Sequence, residues 1–199
     1  MISSVGRASR LHREGRQFEP VITHHFNNFL NIEDLPMSEI LNNFLNINKE
    51  YSSNFGLKKD LAIQPSKRVA ILTCMDARLD PAKFVGLVEG DAHIIRNAGG
   101  RVSDDAVRSL LISFKLLNTN EWFVIHHTDC GMEKFSNDDI DAQFNLADSE
   151  SINWLTFTDN EKSVLEDVQL LKDHPLVPSE IMIYGFIYNC STGLLHKVC

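Results

Sequence analysis

From residue 69 onwards, the chain alternates between continuous apolar runs and segments with helically spaced apolar residues. The runs are rich in β-branched residues, which is typical of parallel strands buried on both faces. They cover residues 69–73, 93–95, 121–126 and 181–188. A short stretch at 193–198 predicts an antiparallel strand at the sheet edge. Together they predict an α/β fold, with a mainly parallel central sheet flanked by helices.

Helical spacing of apolar residues occurs before and between these strands. It predicts helices at 37–55, 81–87, 103–117 and 164–171, and a weaker one at 22–31. Ser38 and Ser103 stand where helix-capping residues are favoured. The polar, acidic stretch 136–160 predicts short helices and loops.

Length and charge limit the function classes. At 199 residues the chain is expected to form one domain, which we place at residues 21–199. Acidic residues outnumber basic ones by 27 to 19, and the net charge of −8 argues against nucleic acid as a partner. No apolar run approaches the roughly 20 residues of a membrane-spanning helix. We therefore expect a small-molecule substrate and no membrane partner.

The first 20 residues differ in composition from the rest. Four arginines lie among serines with few acidic residues: Arg7, Arg10, Arg13 and Arg16. The pattern predicts a basic N-terminal arm. The alternative is a mitochondrial transit peptide, since these are rich in Arg and Ser and poor in acids. A cytoplasmic location is the first expectation and a mitochondrial one the alternative.

Candidate metal ligands follow two of the predicted strands. Cys74 directly follows the first run. His126 ends the third run, and His127 and Cys130 come shortly after it. Two thiolates and an imidazole suit Zn²⁺, and three protein ligands leave a fourth position open, as in catalytic zinc sites. Neighbouring strand residues point to opposite faces, so only one histidine should face the metal.

Asp76 and Arg78 follow the first of these cysteines. Their alternation puts both on one side of an extended segment, where Arg can hold a carboxylate with two hydrogen bonds. The pair predicts a catalytic role beside the metal. A purely structural ion pair is the alternative.

The motifs Cys74-x-Asp76-x-Arg78 and His127-x-x-Cys130 resemble the signature of the β-class carbonic anhydrases. The resemblance extends over residues 66–130 and includes the 95–100 loop and the helix start at 102–105. The run at 126–132 is most similar to the compact branch of that family. This branch also resembles enzymes that hydrolyse carbonyl sulfide or carbon disulfide.

The resemblance selects His127 as the third ligand of one zinc ion per chain and gives His126 a packing or supporting role. It implies hydration of carbon dioxide to bicarbonate by a zinc-bound hydroxide, with carbonyl sulfide or carbon disulfide hydrolysis as the alternative. In the family, Arg78 would keep Asp76 off the metal, and Asp76 would accept a hydrogen bond from the bound water. Release of Asp76 would close the site.

The resemblance also implies a homodimer or a dimer of dimers. Two other classes stay open. One is a non-enzymatic zinc protein with Asp76 as fourth ligand. The other is a thiol-redox protein, which the absence of Cys-x-x-Cys disfavours.

The remaining candidates each have two interpretations. Gly99 and Gly100 either let the backbone approach the substrate or only make a turn. Asp129 either orients a ligand or caps a turn. Arg101 either has a role at the neighbouring 97–100 loop or is a solvated surface residue. Cys190 is expected to be a small buried apolar residue, and Cys199 has no predicted role. Larger members of the resembled family line the pocket with Gln, Phe and Tyr residues from the neighbouring subunit, and the candidates for such residues here are Phe26, Phe55 and Phe84.

Overall fold

The computed structural model describes residues 38–147 and 152–199. The predicted arm at 1–20 and the weak helix at 22–31 lie outside the described residues. Contacts divide the chain into the compact units Met1–Asn54 and Phe55–Cys199. Helix α1, Glu39–Ser53, belongs to the first unit. It begins as predicted at Ser38, whose side chain accepts a hydrogen bond from the backbone N–H of Leu41.

The unit Phe55–Cys199 is built on a five-stranded sheet in the order β2-β1-β3-β4-β5. The strands are β1 (Val69–Cys74), β2 (Ala92–Asn97), β3 (Glu121–His127), β4 (Met182–Tyr188) and β5 (Leu195–Lys197). The first four are parallel, and β5 pairs antiparallel with β4. This topology confirms the predicted α/β fold with a mainly parallel sheet and an antiparallel edge.

In the described part of this unit, four α-helices connect or follow the strands. They are α2 (Pro81–Phe84), α3 (Asp104–Lys115), α4 (Asn137–Phe144) and α5 (Asn160–Asp173). Ser103 caps α3 as predicted, accepting from the backbone N–H of Ala106. Helix α2 is shorter than the predicted 81–87, because the chain turns through Gly86 at φ +71°, a left-handed conformation that ends helices.

One face of the sheet forms the main core with α3 and α5. Alternate strand residues such as Leu72, Trp122 and Val124 pack against Leu110 of α3 and Val168 of α5. The other residues of each strand point to the opposite face. There they line an apolar groove of about 210 Å³ that includes Ile71, Phe123, Ile125, Phe186 and Leu195. Across the described stretches, no helix has the length and apolarity needed to cross a membrane.

Candidate metal centre and active site

The three predicted metal ligands meet at the carboxyl edge of the sheet. Cys74 is the last residue of β1, and His127 is the last residue of the neighbouring parallel strand β3. Cys130 follows a turn in which Asp129 adopts a left-handed φ of 58°. One ligand atom from each of Cys74, His127 and Cys130 lies within 4.8 Å of the others, and all three residues are buried.

The hydrogen bonds of His127 leave one ring nitrogen for a metal. Its Nδ1 lies 3.0 Å from the backbone carbonyl oxygen of Thr128, which can only accept, so Nδ1 carries the proton. Its Nε2 is buried and has no hydrogen-bond partner among the described residues. Asn160 donates to the backbone carbonyl of His127 at 2.7 Å and holds the end of β3. Metal-binding histidines are typically held in one tautomer in this way, with the lone pair of the other ring nitrogen free for the metal.

His126 points away from this centre, as strand alternation predicts. It is fully buried and contacts Ser163 through Nδ1 at 2.9 Å and Asp167 through Nε2 at 3.1 Å. Both partners lie on α5. His126 therefore ties β3 to α5, while its neighbour His127 faces the two thiols.

The two thiols differ in acidity. Hydrogen bonding from Cys130 lowers the pKa of Cys74 to about 4. The pKa of Cys130 rises, because it shares its proton with the Cys74 sulfur and because it is buried. Cys74 therefore readily forms a thiolate, which is the form that binds metals. A bound cation would displace the proton that remains on Cys130.

Asp76 lies next to this centre and is held from the outside by Arg78. The guanidinium donates from Nε to Asp76 Oδ1 at 3.0 Å and from Nη2 to Oδ2 at 2.8 Å. These bonds lower the pKa of Asp76 and keep it ionised. Its Oδ2 is 3.9 Å from His127 Nε2, the nitrogen left for a metal. The carboxylate thus borders the position that an ion would occupy.

Asp129 contacts the other side of the Arg78 guanidinium, a contact that sequence spacing did not reveal. Its Oδ2 accepts from Nη1 at 2.8 Å, and its backbone oxygen accepts from Nη2 at 2.9 Å. Lys134 donates to the remaining carboxylate oxygen. Lys134 and Arg78 together lower the pKa of Asp129 to about 2.

The two glycines of the 98–100 loop have different surroundings. A Cβ on Gly100 would lie 2.8 Å from the backbone nitrogen of Cys74, so this glycine allows the loop to contact the ligand's own strand. A Cβ on Gly99 would meet the side chains of Arg101 and Met132 at 3.1 and 3.3 Å. Gly100 therefore does more than make a turn, although its close contact is with β1.

Arg101 is not the solvated surface residue that was one of its two interpretations. It is 8% exposed and forms an ion pair with Asp167, at 2.9 Å from Nε and 3.1 Å from Nη2. Its partner lies 66 positions away in sequence, on α5, so no local pattern marks the pair. The ion pair fixes the 98–101 loop to the same helix that His126 contacts.

The other candidates take varied positions. Cys190 is partly buried, with its sulfur 3.3 Å from His127 Nδ1, and Cys199 packs against the main core. Phe84 packs with the two thiol residues and stacks on Tyr188 at 4.5 Å between ring centroids. Phe55 is exposed, and Phe26 lies outside the described residues.

Comparison with known proteins agrees with this geometry. The family model for carbonic anhydrases matches residues 69–160. The chain is 38% identical over 161 residues to β-carbonic anhydrase 1 of Mycobacterium tuberculosis, covering 80% of this chain and 98% of that protein. It is 31% identical over 170 residues to the carbon disulfide hydrolase of an Acidianus species, covering 72% and 83%.

A solved structure is also similar to this chain, in both sequence and fold. The carbonic anhydrase of Streptococcus mutans is 47% identical and superposes with a TM-score of 0.76, covering 83% of this chain and all 100% of that one. One class of zinc-dependent enzymes is defined by an α/β sheet with two cysteines, a histidine and an Asp–Arg pair at one edge. The chain belongs to the family of β-carbonic anhydrases.

Proposed function

We propose that this enzyme hydrates carbon dioxide to bicarbonate at a zinc ion, one per chain, held by Cys74, His127 and Cys130. The observation that carries the proposal is the position of Asp76. Both oxygens of its carboxylate accept hydrogen bonds from Arg78, and Oδ2 lies 3.9 Å from His127 Nε2, the nitrogen with no hydrogen-bond partner among the described residues. A carboxylate held in this way can act on a water at the fourth zinc position without occupying it.

The donor set fits zinc. Two thiols and an imidazole nitrogen with no hydrogen-bond partner among the described residues converge at one buried position, and this combination favours Zn²⁺ over the hard cations. When bound, zinc supplies a Lewis acid that lowers the pKa of a water in its open position.

The chain's own residues then position the reactants. Asp76 accepts a hydrogen bond from the attacking water and so aims its lone pair at the substrate carbon, and Arg78 keeps that carboxylate ionised and turned away from the metal. Catalytic roles are therefore assigned to Asp76 and Arg78. Gly99 and Gly100 are proposed to border the substrate with backbone rather than side chains.

A second candidate is hydrolysis of carbonyl sulfide or carbon disulfide at the same centre. Two observations favour it as the alternative. A relative at 31% identity is a carbon disulfide hydrolase. The surroundings of the two thiol residues are also apolar, formed by Leu79 and Phe157 together with Phe84 and Met132. Apolar surroundings would accept a linear sulfur compound as readily as carbon dioxide.

The closed-site alternative would need Asp76 as the fourth ligand. Both of its oxygens are instead engaged by Arg78, which favours an open position and hence an enzyme. The thiol-redox alternative finds no support either, because the four cysteines are unpaired and two of them share one site with a histidine.

The test is a substrate comparison on one batch of zinc-quantified protein. Stopped-flow measurement of carbon dioxide hydration is run beside measurement of hydrogen sulfide released from carbonyl sulfide. Fast hydration with little sulfide is the expected result. Efficient sulfide release with feeble hydration would overturn it in favour of the second candidate. Arg78→Ala is expected to retain zinc and lose activity, and unchanged turnover would contradict the role given to Arg78.

We further propose a homodimer, or a dimer of dimers, in which a second copy covers the apolar groove of the sheet. The groove places Phe123, Phe186 and Leu195 on a face that neither α3 nor α5 covers. Burial of such a surface is the main driving force for stable association. Light scattering at micromolar concentration is expected to give at least twice the monomer mass, and a monomer would contradict the proposal.

The cytoplasm stays the proposed location, and the four unpaired cysteines support a reducing compartment over an oxidising one. The alternative of mitochondrial import depends on residues 1–20. A fluorescent fusion to the full chain, compared with one lacking residues 1–20, distinguishes the two locations. Cytoplasmic fluorescence of both fusions is expected, and mitochondrial fluorescence that requires residues 1–20 would contradict the proposal.

A further inference from the structure

The Arg78 side chain connects two carboxylates rather than one. Toward the candidate zinc site it donates to both oxygens of Asp76. On its other side it donates to the Asp129 carboxylate at 2.8 Å and to the Asp129 backbone oxygen at 2.9 Å. The guanidinium is therefore held from two directions, and its plane is fixed by four directed hydrogen bonds.

The conformation of Asp129 makes this double contact possible. Its φ of 58° is left-handed, a conformation that Asp and Asn tolerate better than most residues. In this conformation both its carboxylate and its backbone oxygen face Arg78. Lys134 binds the remaining carboxylate oxygen and so fixes the orientation of the Asp129 side chain.

Arg78 needs the contact with Asp129 in addition to that with Asp76, because its side chain is exposed. Its side chain is 48% accessible to solvent, against 19% for that of Asp76. A single exposed ion pair is weak, since holding a long side chain in one geometry costs conformational entropy. Without Asp129, Arg78 would spend more of its time in solvent, and Asp76 would be free to approach the nearby nitrogen of His127.

We propose that Asp129, supported by Lys134, is a positioning residue that keeps Arg78 engaged with Asp76. The part of this proposal that concerns the metal rests on the proposed function. By holding Arg78, Asp129 keeps Asp76 away from zinc and leaves the fourth zinc position open. Asp129 itself touches neither substrate nor metal in this scheme, and its effect is transmitted through the guanidinium.

The direct test is Asp129→Asn, which keeps the shape of the side chain and the tolerance of a left-handed φ but removes the charge. The matched control is Asp105→Asn, which removes a carboxylate from another exposed ion pair, 2.7 Å from Arg108 on α3. Circular dichroism checks that both variants fold. Lys134→Met tests the support of Asp129 and is expected to act in the same direction with a smaller effect.

The first readout is the ¹⁵N–¹H signals of the Arg78 guanidinium, assigned by their loss in Arg78→Lys. Restricted rotation should give separate Nη signals in the wild type and in Asp105→Asn. In Asp129→Asn these signals should merge. Separate Nη signals in Asp129→Asn would overturn the proposal, and this readout needs neither metal nor activity.

The second readout is the visible spectrum of the Co²⁺-substituted protein during titration with azide, which reports an open fourth position. Exposed charge pairs shift equilibria by roughly two- to fivefold, so the apparent Kd for azide should rise by about that factor in Asp129→Asn and not in Asp105→Asn. An unchanged Kd would contradict the proposal. If carbon dioxide hydration were absent while both readouts responded, the proposed function would fail and the role of Asp129 would stand.

Discussion

Replacement of Gly100 by alanine tests the packing that fixes the Cys74 ligand. Gly100 has a φ of +71°, and a Cβ there would lie 2.8 Å from the Cys74 nitrogen and 2.9 Å from the Thr73 carbonyl carbon. Gly86 has the same φ of +71°, but a Cβ there would have no heavy atom within 4 Å. Gly86→Ala is therefore a matched control that carries the conformational cost without the clash.

The magnitude follows from these two contributions. A left-handed conformation costs an alanine roughly 1–2 kcal/mol, and both variants carry that cost. Overlap with backbone in a packed region costs roughly 1–3 kcal/mol more. It falls only on Gly100→Ala, since β1 is paired on both sides and cannot move away. The expected loss in free energy of unfolding is therefore roughly 2–5 kcal/mol for Gly100→Ala and roughly 1–2 kcal/mol for Gly86→Ala.

Urea denaturation followed by circular dichroism measures the difference, with zinc content determined on the same samples. Gly100→Ala should also bind zinc more weakly, because the displaced backbone carries Cys74. Equal losses in the two variants, with equal zinc affinity, would refute the argument that the loop is packed against the ligand's strand.

Four further predictions concern the core, the acid limit, the metal and the interface. Arg101→Met should cost roughly 3–5 kcal/mol of unfolding free energy in urea denaturation, because it leaves the buried carboxylate of Asp167 without its arginine partner. Arg108→Met, at an exposed ion pair, should cost under about 1 kcal/mol. Similar losses in the two variants would contradict the role given to the buried pair. Burial raises the pKa of Asp167, but hydrogen bonds from His126 and Arg101 outweigh this effect and hold the pKa below the usual value of an aspartate. As pH falls below about 5, this carboxylate therefore takes up a proton more readily in the unfolded chain than in the folded one. The stability of the wild type should then drop more steeply than that of Asp167→Asn. Parallel acid denaturation curves of the two proteins would refute this prediction. Cys74→Ser should lose zinc by elemental analysis, and full retention would disprove its role as a ligand. Phe186→Glu should shift the light-scattering mass to that of a monomer, and an unchanged oligomer would place the interface elsewhere.

Sequence patterns predicted the central elements of the fold because those elements are defined by local periodicity. The runs at 69–73 and 121–126 became β1 and β3 within one residue at their ends. Caps at Ser38 and Ser103 were correct because a cap hydrogen bond spans only three residues. Motif spacing also brought Cys74, His127 and Cys130 together, since parallel strands end at one edge.

Contacts between distant segments could not be predicted in this way. Arg101 and Asp167 are far apart in sequence, and neither has a neighbour that marks the pair. Asp129 was recognised only as a turn or ligand-orienting residue, because its contact with Arg78 depends on a left-handed backbone that no spacing rule indicates. Gly86 ended α2 early for a similar reason: its φ shows only in the structure.

The central claim is that carbon dioxide hydration depends on one zinc ion at Cys74, His127 and Cys130. The most direct test removes zinc with a chelator and restores it stepwise while stopped-flow hydration is measured. The account predicts that the hydration rate rises linearly with added zinc and levels off at one ion per chain. Full zinc occupancy without hydration, or hydration that does not depend on zinc, would contradict it.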